Sequence, residues 1–211
     1  MQEAETLRIA GDFRHFKGKW DVHVFEEEII LKRMKTKDLV LCAMFVALIA
    51  VGAFIKVPVP VVPFTLQFLF TMLAGLLLGP GNGALAVVIY IVLGLAGLPI
   101  FTPGYIFQPS FGYIIGFAAA AYVTGRIANE KSHPGYGRLL AANFIGLFIV
   151  YAFGMVYYYV ISNFVLNTPI GLWPLFLYCF LLAVPGDIAL CILAAAIGKR
   201  MIPMIREGRL G

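Results

Sequence analysis

Asp187 is the residue of this chain whose surroundings most demand an explanation. It stands in Val184-Pro185-Gly186-Asp187, directly behind a stretch from Leu139 to Gly186 that contains no Asp, Glu, Lys or Arg. A carboxylate at the centre of a membrane helix costs roughly 2.5–3.5 kcal/mol on insertion scales, so one that persists usually faces a cavity and serves function. Pro185 removes a backbone donor and Gly186 loosens the turn, so a kink with free carbonyls beside the acid is expected. Two readings fit Asp187: a ligand-binding carboxylate, or a structural one that caps a broken helix or bonds a neighbouring span. Uncharged polar residues could join it, namely Thr65 and Gln67 in one apolar run, Ser110 and Tyr113 in another, and Asn143 in a third. Each of these alone could equally make a hydrogen bond between helices. A carboxylate can accept two N–H groups side by side, so a cyclic urea or amide suits it better than an anion.

Other chemistries lack their residues. His15, His23 and His133 all fall in polar segments, so a metal site or histidine relay within the apolar bulk is unsupported. Cys42, Cys179 and Cys191 are an odd number with no C-x-x-C spacing, and read as small buried hydrophobes. No G-x-x-x-x-G-K-[ST] motif is present, so ATP hydrolysis by this chain is not expected. Paired carboxylates for acid–base catalysis are also missing, and neither an enzyme nor a cofactor is indicated.

The elements that must position Asp187 follow from composition. Of 211 residues, 61% are hydrophobic and 13% charged, against about 25% charged in soluble domains. A second uncharged stretch runs from Val57 to Gly125. With about 20 apolar residues needed per crossing, the chain reads as an all-α polytopic membrane protein with six transmembrane helices. The spans are expected near Leu39–Ile55, Phe64–Leu78, Ala84–Ile100, Ser110–Gly125, Leu139–Val165 and Leu172–Ile197. They are separated at Val57-Pro58-Val59-Pro60, at Gly79-Pro80-Gly81-Asn82-Gly83, from Pro99 to Pro109, at the charged loop Arg126–Arg138, and at Asn167-Thr168-Pro169. The second and fourth spans are short for a bilayer and could be tilted, broken or re-entrant.

Residues 1–33 are mixed in charge, include Glu26-Glu27-Glu28, and have no apolar core of the kind a signal peptide needs. They read as a soluble tail or an over-extended start, with the membrane domain as residues 34–211. Six crossings with both termini in the cytoplasm put Lys35, Lys37, Arg126, Lys131, Arg138, Lys199, Arg200, Arg206 and Arg209 inside and Lys56 outside. The net charge of +5 is thereby accounted for without nucleic acid. Ala43-x-x-x-Ala47, with Ala50 beyond it, makes a small-residue stripe on the first helix. It could serve packing within the bundle or dock a separate membrane partner.

Several stretches together resemble the BioY family of biotin-specific substrate-binding (S) components of energy-coupling factor transporters. They are Pro63-Phe64-Thr65-Leu66-Gln67 with Ala74-Gly75-Leu76-Leu77-Leu78-Gly79-Pro80, Gly94-Leu95-Ala96-Gly97-Leu98-Pro99-Ile100-Phe101, Gln108-Pro109-Ser110-Phe111-Gly112-Tyr113 with Gly116-Phe117, Tyr151-x-x-Gly154, and Pro185-Gly186-Asp187. The resemblance covers about Met34 to Lys199. It implies a six-helix protein of a prokaryotic plasma membrane that binds biotin near the outer face. Uptake would be driven by a transmembrane coupling protein and two ATPase subunits, docked on Ala43, Ala47 and Ala50. Asp187 would accept from the ureido ring, Gln67, Ser110, Tyr113 and Asn143 would supply polar lining, and Phe64 and Tyr90 apolar walls. In the family pattern a lysine often follows the Asp by three positions and helps hold the ligand's carboxylate, whereas here that position is Leu190. The ligand carboxylate would then need another cation, for which Lys56 is the candidate, or a set of neutral donors; otherwise it stays solvated, or the ligand is a biotin-like molecule without a free acid. Open alternatives are an S component for another vitamin or precursor, a stand-alone secondary transporter, and an intramembrane enzyme.

Overall fold

The computed structural model describes residues 36–57, 64–101, 105–131 and 133–210, with no account of the side chains of residues 56, 57, 64 and 206–210. Residues Val40–Gly211 form one compact unit. Of the other unit, Met1–Leu39, only residues 36–39 are described, so the expectation for residues 1–33 falls outside the described residues.

Among the described residues, seven helices follow in order: α1 Thr36–Phe54, α2 Gln67–Leu78, α3 Pro80–Leu95, α4 Phe111–Asn129, α5 Tyr136–Val160, α6 Leu172–Phe176 and α7 Val184–Leu210. A two-residue antiparallel pairing, β1 Lys56–Val57 with β2 Phe64–Thr65, turns the chain from α1 back into α2. A 3₁₀ turn at Tyr105–Phe107 precedes α4, and π turns at Ile161–Val165 and Leu177–Leu181 extend α5 and α6. Among the described residues, four helical stretches are long and apolar enough to cross a membrane: Thr36–Phe54, Phe111–Asn129, Tyr136–Val165 and Leu172–Ile205. At 1.5 Å per residue, the 12 residues of α2 and 16 of α3 reach only about 18 and 24 Å, short of a ~30 Å hydrocarbon core.

Helix α2 is the centre of the bundle. It packs on α3, α4 and α7, and of its side chains only Phe70 is not buried, as expected of a helix that is apolar all round. Without a hydrophobic drive between helices in lipid, close backbone contact must hold them. A Cβ at Gly75 would lie 2.5 Å from the Ala121 carbonyl oxygen, and one at Gly125 would lie 2.7 Å from that of Gly75. The α2–α4 crossing is therefore possible only with glycine at both places.

Three boundaries depart from the sequence expectation. The break expected over residues 79–83 narrows to Gly79, at φ 87°. Pro80 then occupies the first turn of α3, where its missing N–H is no loss, and Gly81, Asn82 and Gly83 are helical. Helix α4 is not short: it continues through Arg126 to Asn129, whose amide donates to the Gly125 carbonyl at 2.7 Å. The last expected span is broken, but not by Pro185. The π turn ends at Leu181, and Pro185 lies in the first turn of α7, where proline is tolerated. Asp187 thus starts a helix, whose N-terminal dipole favours a carboxylate, and α7 runs well past Ile197.

Candidate ligand-binding cavity

The one-residue turn at Gly79 brings the C-terminal half of α3 alongside the N-terminus of α2. Helices α4, α5 and α7 contribute their N-terminal, C-terminal and N-terminal halves to the same end of the bundle. A cavity of about 500 Å³ opens there, within the range of small-molecule sites. Gln67 and Phe68 of α2 and Tyr90 of α3 line it on one side. Tyr113 of α4, Tyr151 and Tyr158 of α5, and Asp187 of α7 line it on another. Arg126, Lys131, Arg138, Lys199 and Arg200 belong to the opposite halves of α4, α5 and α7 and to the loop between α4 and α5. Tyr136 at the start of α5 donates to the Ile192 carbonyl at 3.4 Å, tying that end of α5 to α7.

Asp187 is half-buried, and the Tyr151 hydroxyl donates to its Oδ2 at 2.5 Å. The Tyr151 ring is held edge-on by Tyr113, with centroids 5.8 Å apart, and by Phe180, at 5.1 Å. Tyr113 donates its hydroxyl to the Cys179 carbonyl of the π turn at 3.2 Å. The two tyrosines thereby connect α4 and α5 to the segment that delivers Asp187. Gly154 makes room for Tyr113, since a Cβ there would lie 2.4 Å from its ring. Toward α3, Phe101 stacks on Tyr105 at 4.6 Å and 10°, and meets Tyr90 edge-on at 5.2 Å. Among the described residues, Asp187 is the only charged side chain lining the cavity, and no cluster of metal-ligating groups occurs. The arrangement supplies one strong acceptor for N–H donors, with aromatic faces to cover an apolar body.

Five of the sequence-derived candidates, Asp187, Gln67, Ser110, Tyr113 and Tyr90, line this cavity, as does Thr65. Asn143 does not. It is fully buried between α5 and α7, where its amide donates to the Cys191 carbonyl at 2.9 Å, a helix-joining role. Lys56 and Phe64 are placed only by their backbones, Lys56 opposite Thr65 and Phe64 opposite Val57; their side chains lie outside those described. Leu190 is buried and off the cavity wall. On α1, Cys42, Phe45, Ile49 and Gly52 are buried, Ala43 and Ala47 are exposed, and Ala50 is half-buried.

Tyr151 was not among the sequence-derived site residues, nor were Phe101, Tyr105 and Tyr158. The available signal was a tyrosine hydroxyl inside an apolar run, which must find a partner when buried. Nothing in the spacing identifies that partner as an acid 36 positions further on.

The sequence model of the BioY family matches residues 27–207. The chain belongs to the BioY family. A Lysinibacillus sphaericus protein described as "Probable biotin transporter BioY" is 45% identical over 184 residues, covering 85% of this chain and 94% of that one. A Rhizobium etli protein described as "Biotin transporter BioY" is 33% identical over 184 residues, covering 80% and 95%. A solved structure of the S-component for biotin from an ECF-type ABC transporter is similar in fold, with a TM-score of 0.63 at 28% identity. It matches over 80% of this chain and 94% of that one. The tyrosine-held carboxylate is a feature of this chain's own geometry.

Proposed function

We propose that this chain is a biotin-binding S component that feeds an energy-coupling factor transporter, and not an enzyme. The observation that carries the reading is Asp187, a half-buried carboxylate at the wall of an aromatic-lined cavity of about 500 Å³, oriented by Tyr151. With Oδ2 bonded to Tyr151, Oδ1 is left to accept a ureido N–H. The rings of Tyr90, Phe101 and Tyr105 suit the sulfur-containing bicycle and alkyl chain of biotin, and Gln67, Ser110 and Tyr113 add polar contacts. Lys56, paired through its backbone with Thr65, is one candidate holder of the carboxylate, and Phe64 is a candidate wall residue.

The membrane domain is residues 34–211. It crosses the plasma membrane of a prokaryote six times with both termini inside. Clustering of the basic residues at the bundle end opposite the cavity supports this orientation and faces the cavity outward. Exposure of Ala43 and Ala47 supports α1 as the surface for a coupling protein that carries two ATPase subunits. The test is displacement of labelled biotin from the purified protein by a panel of vitamins and biotin precursors. Displacement by biotin alone is expected. A stronger competitor would change the ligand, and uptake by vesicles without ATPase subunits would favour a stand-alone transporter.

A further inference from the structure

Gln67 and Tyr90 present polar groups that the bundle leaves without partners. Both line the cavity, with side chains 5% and 0% exposed. The Gln67 amide reaches toward the Tyr90 hydroxyl, but the contact falls short of hydrogen-bond geometry, leaving Gln67 Nε2 and the Tyr90 hydroxyl unsatisfied. Buried polar atoms nearly always have partners, so an orphaned pair calls for an explanation. Both atoms can donate, and one acceptor oxygen placed between them would satisfy both. They stand on α2 and α3, whereas Asp187 and its Tyr151 stand on α7 and α5. The cavity therefore carries two polar stations of opposite character: an acceptor at Asp187 and a neutral donor pair at Gln67 and Tyr90.

We propose that Gln67 and Tyr90 together hold an oxygen of the ligand's carboxylate end, so that this end is recognised as a hydrogen-bond acceptor and not as a charge. The inference rests on biotin as the ligand. A neutral donor's bond to a carboxylate oxygen is stronger than its bond to an amide carbonyl, but the carboxylate also costs more to desolvate. Two neutral donors therefore leave only a small net preference, whereas a cation adds a charge-to-charge attraction for the acid alone. The site then accepts biotin and its uncharged primary amide alike, and ligand affinity depends little on salt.

The experiment is equilibrium binding of biotin and biotin amide to the full chain in detergent, for the wild type and for Tyr90→Phe, Gln67→Met and Lys56→Met. Tyr90→Phe keeps the ring that meets Phe101 edge-on at 5.2 Å, and melting curves identify any variant that has lost its fold. The wild-type comparison of acid with amide needs no variant at all. Expected are affinities for the two ligands within about tenfold of one another. Loss of about 2- to 12-fold for biotin amide, and at least that for biotin, is expected in Tyr90→Phe and in Gln67→Met from one hydrogen bond each. Amide binding more than about 100-fold weaker than acid binding, abolished as a preference by Lys56→Met, would overturn the proposal in favour of a cation. Unchanged affinity in both Tyr90→Phe and Gln67→Met would assign the pair to an ordered water. Wild type that binds neither ligand would instead refute biotin as the ligand.

Discussion

Replacing Tyr151 with Phe removes one hydroxyl and nothing else, and the structure limits what that does. The lost bond is the one to Asp187 Oδ2 at 2.5 Å; the ring contacts with Tyr113 and Phe180 survive. Hydrogen bonds between membrane helices average about 0.6 kcal/mol with a maximum near 1.7, so the fold loses about that much. Binding is affected differently, because Tyr151 orients Asp187 while Asp187 meets the ligand. Freeing one side chain that binding must then immobilise costs about 0.5–1.5 kcal/mol, or about 2- to 12-fold in affinity at 1.36 kcal/mol per decade. Asp187→Asn removes a charge-assisted bond of about 1.5–3 kcal/mol, about 10- to 150-fold. Its amide oxygen still accepts from Tyr151, which turns the Asn NH₂ toward the ligand's N–H, donor against donor. The assay is equilibrium binding of labelled biotin to the purified protein for both single variants and the double. The account predicts a loss in Tyr151→Phe smaller than in Asp187→Asn, and a reduced Tyr151→Phe effect on the Asn background, because the two residues act through one bond. A Tyr151→Phe loss equal to that of Asp187→Asn and fully additive with it would refute the positioning role.

Other substitutions separate the parts of the molecule. Gly75→Leu drives a side chain into the Ala121 carbonyl, 2.5 Å from where its Cβ would lie. It should lower the melting temperature in detergent by an amount matching at least the 1–3 kcal/mol typical of overpacking. Asn143→Leu removes the bond to the Cys191 carbonyl and should reduce stability by about 1 kcal/mol while leaving biotin affinity within about twofold. A larger loss of affinity would return Asn143 to the site. Ala47→Trp, on the exposed face of α1, should abolish copurification with the coupling protein proposed to dock there and spare biotin binding in the isolated chain.

Asp187 was legible in the sequence because a lone carboxylate behind a long uncharged stretch has few roles open to it. Its local setting was legible only in part: a proline in an apolar run signals a break, but whether it kinks one helix or starts the next depends on where the chain before it stops bonding. Here the π turn Leu177–Leu181 stops it, and π turns have no sequence signature. The cluster Gly79–Gly83 misled in a similar way, since glycine marks both a turn and a close helix contact; only Gly79 turns, while Gly83 lies against the Ala74 carbonyl. Asn143 shows the same limit for polar side chains. An asparagine in an apolar span must find a partner, but the partner is chosen by helix rotation, and here it is a backbone carbonyl of α7. Tyr151 was visible as part of the stretch Tyr151-x-x-Gly154 but not as a site residue, because its role exists only through a contact with another helix. The stripe of Ala43 and Ala47 was visible as a stripe, while the side of α1 facing the bundle was settled by Cys42, Phe45 and Ile49.

The most direct test of the central claim is equilibrium binding of labelled biotin to the wild-type chain and to Asp187→Asn, both shown by melting curves to be folded. The account predicts tight, saturable binding by the wild type and a loss of about 10- to 150-fold in the variant. Equal affinity in the two folded proteins would contradict it, and would move the ligand away from Asp187.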